Sequence, residues 1–368
     1  MRCVLFIDCA PFVGGAQESF TTLVEGFPNC PLAVGDGLAS RFPNATRIHA
    51  RHWRANLAGL IQFLSDRRNA SQSLRSVLCD GGNVVPPPTV LCDGGNAVGT
   101  APALIHANTL RSALLLTSLH LSCPVIVHDR DIRAPRPALR YIARKLRPTI
   151  IAISSTVAQK WRGVIPDENI HIIYNGFRLD EIRTTKQAQF PWSGPTIVLA
   201  ADFIPWKRHR LFVDAFSLAR KRIPELHAVL RGRLRSIADE AYLKEIRDYA
   251  SNIPNISIDT ASGSALSQIA ASDMLVSCSD NEPFGRTIIE AIALSKNVVA
   301  TPTAAPPELF TMLAPNLVKA EDSSQSLADA IVDNLYKAFS PVSLDAFSVD
   351  TMLDRINAVH VQCCRRIR

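Results

Sequence analysis

The chain has 368 residues, 47% hydrophobic and 20% charged, which suits two domains of ordinary size and excludes a disordered chain. The net charge of +7 is unevenly spread: residues 1–183 carry 20 Lys and Arg against 13 Asp and Glu, and residues 184–368 carry 20 of each. A basic half fits a phosphorylated substrate or an anionic membrane surface; with no zinc-finger spacing and no aromatic-rich RNA-binding string, nucleic acid is set aside.

In chain order, residues 3–7 predict a strand, with no signal-peptide pattern before it. The turn that follows holds Gly14 and Gly15, which permit close approach of a ligand to the backbone, and leads into an amphipathic helix with Phe20, Leu23 and Val24 on one face. Residues 51–68 place Trp53, Leu57, Leu60, Ile61 and Leu64 at helical spacing between Arg51, Arg54, Arg67 and Arg68. Two readings stand there: a core-packed helix with a solvated basic rim, or a basic helix lying on an anionic bilayer. The string VLCDGGN at 77–83 returns letter for letter at 90–96 after VVPPPT, a tandem duplication whose turn residues predict a surface loop.

Residues 102–106 and 124–127 predict strands, the second ending in His128, Asp129, Arg130 and Asp131. The apolar region between them is broken by Thr117, Ser118, His120, Ser122 and Pro124, too often for a membrane span. Strands at 149–154 and 170–174 follow, then Asn175, Gly176 and Phe177, and a polar stretch at 184–194 predicts a linker. The nine cysteines are scattered, form no Cys-x2-Cys pair and sit mostly in apolar runs, as buried thiols of a reducing compartment do.

The second half opens with a strand at 196–200, then Lys207 and Arg208 ahead of a helix at 210–222, where a lysine meets a diphosphate well. Arg231, Arg233 and Arg235, after a strand at 228–230, read as a solvated cluster. Residues 273–302, DMLVSCSDNEPFGRTIIEAIALSKNVVATP, predict a strand, a loop holding Glu282, Pro283, Phe284 and Gly285, a helix carrying Glu290, and a second strand. In a parallel α/β sheet such a loop lies at the carboxyl ends of the strands, where ligands bind. Glu290 lies roughly 12 Å along the helix axis from Glu282 at 1.5 Å per residue. Between them the first-turn amides at Phe284, Gly285 and Arg286 form an anion site. Hydroxyls, a diphosphate and a ribose diol are spaced in this way in a sugar nucleotide. Taken alone, however, acidic residues near a helix start also suit a solvated face. The tail, 348–361, predicts a helix.

The run from Glu282 through Pro283, Phe284, Gly285 and Arg286 to Glu290 and Ala291 resembles the Glu-x7-Glu motif of the retaining glycosyltransferases of family 4. The resemblance implies an α/β chain of GT-B architecture, with two Rossmann-like domains facing each other across a cleft. An acceptor-side domain would span 1–183, a linker 184–194 and a nucleotide-sugar-binding domain 195–347, with the helix at 348–368 returning to the first domain. It implies that His128, Lys207 and Glu282 are catalytic, with Asp129 in reserve for His128. Gly14, Gly15, Lys207, Arg208, Glu282, Phe284, Gly285, Arg286 and Glu290 would bind the donor, Glu290 taking both ribose hydroxyls. No metal or other cofactor is expected.

Two departures from the family pattern stand out: its Gly-Arg pair is Ala201 and Asp202 here, and its Gly-Gly turn is Ala304 and Ala305. The expected activity is transfer of a sugar from a nucleoside-diphosphate sugar to a glycan or lipid-linked acceptor, in cell-surface polysaccharide or glycolipid assembly. The alternatives are a sugar-nucleotide epimerase or hydrolase on the same fold, or a weakened sugar-nucleotide-binding protein. The expected location is the cytoplasm, in free solution or on the cytoplasmic face of a membrane.

Overall fold

A computed structural model describes residues 4–10, 14–43, 45–48, 103–119, 121–234, 236–261 and 263–365. The basic segment 51–68, the duplicated strings at 77–83 and 90–96 with Cys79 and Cys92, and Arg235 lie outside the described residues. The chain divides into two compact units, residues 1–177 with 349–368, and residues 178–348.

The first unit is built on β1 (Val4–Asp8), α1 (Gly15–Glu25), β2 (Leu32–Gly35), β3 (Thr46–Ile48), β4 (Leu104–Asn108), α2 (Thr109–Leu116), β5 (Val125–Asp129), α3 (Arg136–Leu146), β6 (Thr149–Ala152), α4 (Ser155–Gln159) and β7 (Ile170–Ile172). The strands form one sheet in the order β3-β2-β1-β4-β5-β6-β7, with every pairing parallel. Parallel sheets are covered on both faces, so the central strands are apolar without alternation, and β1, β4 and β5 are buried along their whole length.

The second unit begins with α5 (Leu179–Arg183) and continues through β8 (Thr196–Ala200), α6 (His209–Arg222), β9 (His227–Arg231), α7 (Ile237–Ala250), β10 (Ile256–Asp259), α8 (Leu266–Ala271), β11 (Met274–Ser277), α9 (Arg286–Ala293), β12 (Asn297–Ala300), α10 (Pro307–Met312), β13 (Leu317–Lys319) and α11 (Ser324–Asn334). Its six strands, again all parallel, run β10-β9-β8-β11-β12-β13. Phe203, Phe212, Phe216, Leu230, Ile246, Val276, Leu327 and Ile331 build its core. Local signals set the helix starts. Ser323 accepts from the Ser326 amide to cap α11, and Ser236 and Asp239 cap α7 reciprocally.

The last helix, α12 (Val349–Arg365), buries Met352, Ile356, Val359 and Cys363 in the core of the first unit beside Phe6, Phe20, Leu104 and Ile126. The division between units falls after Phe177, and residues 184–194, expected as a linker, lie inside the second unit. The reason is packing: Ile182 is buried, the Ala188 amide donates to the Ser267 carbonyl at 2.9 Å, and the Trp192 ring stacks between Phe190 and His227. Among the described residues no helix is long and apolar enough to cross a membrane.

Candidate functional site

In the second unit β8, β11 and β12 are neighbours, so parallel pairing brings their carboxyl ends together. The loop after β11 is stitched to both sides. The Asp280 amide donates to the Trp206 carbonyl after β8 at 2.7 Å, and the Glu282 amide to the Thr303 carbonyl after β12 at 2.8 Å. Asn281 adopts φ 60° and Gly285 φ 88°, so the loop folds tightly before α9 starts. A side chain at Gly285 would be strained in that backbone and would place its Cβ 2.9 Å from Ile288 Cδ1.

This frame joins two predicted residues. Lys207 Nζ donates to Glu282 Oε2 at 2.5 Å, with the side chains 14% and 15% exposed, and the same ammonium lies 4.0 Å from the Trp206 ring centroid. Glu290, a turn into α9, pairs with Arg286 at 3.6 Å. Phe284 is buried and meets Phe347 edge to face at 6.1 Å, so its side chain belongs to the core and only its backbone is available to a ligand. Arg208 is turned instead to Asp322, at 2.5 Å, in a pair with substantial solvent exposure.

Arg231, which ends β9, and Arg233 after it are each paired with a carboxylate rather than left to solvent. Arg231 is 2% exposed and its Nε lies 3.3 Å from Asp259 Oδ2; Arg233 Nε bonds Asp202 Oδ1 at 3.1 Å. A buried guanidinium requires an opposite charge, which Arg231 finds at the end of β10, while the partly exposed Arg233 pairs just past the end of β8. Asp202, which stands where the family pattern has an arginine, is therefore the anchor of Arg233. Ala304 and Ala305 are buried in the turn after β12.

In the first unit Gly14 and Gly15 open α1, with the Gly14 amide donating to Gln17 Oε1 at 3.1 Å. Gln17 in turn reaches Asp8 at the end of β1, and Asp8 accepts from Asn108 at the end of β4. Arg130, after β5, bonds Asn108 Oδ1 at 2.6 Å and also Asn175. His128 is the penultimate residue of the same strand, 1% exposed, with Nδ1 3.2 Å from His106 Nε2 and 3.4 Å from Arg130 Nη2. Its Nε2 has no partner among the described residues. Burial, then the Arg130 charge, pushes the His128 pKa well below the ordinary value.

Asp129, the reserve candidate, is taken up structurally. It pairs with Lys160 at 2.8 Å and accepts from Trp161 Nε1 at 2.6 Å, while burial pushes its carboxyl pKa up. Sequence reasoning passed over Asp8, Gln17, Asn108, Arg130, His106 and His360. A signal existed for two of them, since Asp8 and Asn108 each close an apolar strand with a polar residue.

Residues 181–337 match the family model described as Glycosyl transferases group 1. The match lies within the second unit. No curated protein matches the chain in sequence. Among solved structures, Alr3699/HepE of Anabaena in complex with UDP and glucose is 18% identical, covers 98% of this chain and 100% of its own, and superposes with a TM-score of 0.75. A glycosyltransferase from Rickettsia africae is 16% identical over 98% of each chain, with a TM-score of 0.73. Sucrose-phosphate synthase from Thermosynechococcus elongatus is 13% identical over 98% of this chain and 99% of that one, with a TM-score of 0.69. At these identities the likeness carries the fold, and the fold is the expected α/β, GT-B type with two Rossmann-like units.

Proposed function

We propose that the chain is a retaining glycosyltransferase of family 4 type that moves a sugar from a nucleoside-diphosphate sugar to a glycan or glycolipid acceptor. The observation that carries the reading is the Lys207–Glu282 pair, tied over the ends of β8 and β11 at the start of α9. Lys207 has three donors and gives one to Glu282, which leaves the others for a diphosphate oxygen. The amides at the start of α9 add partial positive charge to the same place. As the bond from the anomeric carbon to the diphosphate breaks, these groups stabilise the negative charge on the leaving oxygen, and no metal is required by the scheme. Glu282 accepts from sugar hydroxyls, and Glu290 accepts from the ribose diol. The acceptor hydroxyl attacks from the face the diphosphate leaves, passes its proton to the departing phosphate oxygen, and the anomeric configuration is kept. In the first unit, His128 would donate to a hydroxyl of a sugar substrate.

A uridine donor is favoured because the Anabaena neighbour is recorded with UDP and with UDP-glucose. Membrane attachment has support in the first unit as well. Arg136, Arg140, Arg144 and Lys145 on α3, with Arg147 after it, are exposed and carry no ion pair among the described residues, and Tyr141 stands exposed among them. Such a face suits an anionic bilayer on the cytoplasmic side, where polysaccharide or glycolipid assembly would proceed.

The test is a thermal-shift panel with UDP, GDP and ADP, each with and without a chelator, followed by product analysis on the corresponding sugar nucleotides. A nucleotide at 100 times its Kd should stabilise the protein by about 2.7 kcal/mol. One nucleotide shifting the melt in chelator, with a retained glycosidic product, supports the reading. Stabilisation without turnover favours the weakened binding protein, for which the loss of an arginine at Asp202 is the specific observation. No shift with any nucleotide refutes both.

A further inference from the structure

Three buried histidines from three distant parts of the chain form a row in the first unit. His106 on β4 stands in the middle, its Nδ1 2.9 Å from His360 Nε2 on α12 and its Nε2 3.2 Å from His128 Nδ1 on β5. Their exposures are 0%, 4% and 1%, so bulk solvent does not reach them. Phe6 lies 5.1 Å from the His106 ring and Phe27 5.4 Å from the His360 ring, which holds both rings in place.

Between neutral imidazoles each bond could run in either direction, because each ring carries one proton on one of two nitrogens. Arg130 breaks that symmetry. Its Nη2 lies 3.4 Å from His128 Nδ1, and a guanidinium is a donor only, so Nδ1 must be the bare nitrogen. His106 Nε2 then carries a proton and donates to His128, which leaves His106 Nδ1 bare to accept from His360 Nε2. Arg130 is itself held by Asn108 and Asn175, so the element that sets the direction does not turn freely. The row ends on His128 Nε2, a protonated nitrogen that is buried and has no partner among the described residues. Leaving a buried donor unsatisfied costs about 1–3 kcal/mol, so an acceptor on a ligand would gain by meeting it.

We propose that His360, His106 and Arg130 are positioning residues that hold His128 as the Nε2–H tautomer, so that the first unit presents one fixed N–H donor to a hydroxyl oxygen of a bound sugar substrate. The sugar part of this inference rests on the glycosyltransferase reading; the direction of the row does not. Burial keeps all three rings uncharged near neutral pH, with His360 pushed down to about 4, so the row carries one proton per ring and no net charge.

The test uses the full chain labelled with 15N-histidine, in which NMR couplings show which ring nitrogen is protonated and the His128 signals are those missing from His128→Gln. The expected result is Nε2–H at His106 and at His128. Nδ1–H at either ring overturns the proposal, whether or not the protein turns over a sugar nucleotide. Arg130→Met, which removes the donor that sets the direction, should let the row run either way, so that His128 samples both tautomers, and lower kcat/KM about tenfold, the equivalent of one lost hydrogen bond, while UDP stabilisation is unchanged. Arg130→Lys, which keeps a donor-only cation beside His128 Nδ1, should recover the single tautomer and most of the lost kcat/KM. If Arg130→Met does not fold, the wild-type spectrum and His360→Gln, which keeps the donor to His106, still decide the direction. Saturation with the sugar nucleotide that the wild type turns over should move the His128 Nε2–H resonance; an unmoved resonance overturns the role toward substrate. A wild type with Nε2–H at both rings and no turnover of any sugar nucleotide overturns the function reading and supports the row.

Discussion

Acid should loosen the first unit through His360. Its ring is buried among Phe6, Phe27 and His106, and burial pushes its pKa from 6.5 to about 4. Because the folded value lies below the unfolded one, the neutral ring stabilises the fold fully above about pH 6.5, and that contribution is lost as pH falls through the folded value. By linkage one such group withdraws about 2 kcal/mol between about pH 8 and pH 5, and about 3 kcal/mol once the pH is below 4. His106 and His128 shift in the same direction. Asp129, whose pKa burial raises, acts in the opposite sense, since its protonated form is the one the fold favours. The assay is urea denaturation of the wild type and of His360→Phe at a series of pH values. The variant loses a donor to His106 and should be less stable near pH 8 by about 1–3 kcal/mol. Its further loss on going to about pH 5 should nevertheless be smaller than that of the wild type by about 2 kcal/mol. Equal losses in the two proteins, or a wild type whose midpoint does not move over that range, would refute the reasoning.

At the second unit's site, Glu282→Gln should lower kcat/KM about 100-fold or more by removing a carboxylate from sugar hydroxyls and from Lys207, with stability changed by about 1 kcal/mol; paired kinetics and melts check this. Gly285→Ala should destabilise by about 1–2 kcal/mol, because φ 88° disfavours any side chain and the new Cβ meets Ile288, and it should weaken UDP binding in calorimetry. Charge reversal on α3, Arg140→Glu with Arg144→Glu, should abolish sedimentation with anionic liposomes and leave neutral-liposome controls unchanged. Intact protein that ignores anionic liposomes would refute the membrane part of the proposal.

The strand, loop and helix around Glu282 could be read from sequence because their determinants are local. An apolar strand, a proline and glycine turn and a helix-forming run lie within thirty residues, and the structure finds β11, a left-handed Gly285 and α9 in those places. The partner of each charge could not be read in this way. Asp202 looked like a missing arginine, yet it holds Arg233, 31 residues away, and Arg231 is buried against Asp259 rather than solvated. The same limit moved the end of the first unit to Phe177, since the anchoring of Ile182 and Trp192 depends on groups far along the chain. The histidine row is the extreme case. Its two links span 22 and 254 residues, and no periodicity or motif records them. What makes it intelligible is strand order. In a parallel sheet every carboxyl end lies on one edge, and the order β1-β4-β5 sets the ends of those three strands side by side. Asp8 bonds Asn108, and His128 pairs with Asn108 in the sheet register, although no local signal links the three. A helix that returns from the end of the chain to cover that core brings His360 to the one place where a third imidazole completes the row.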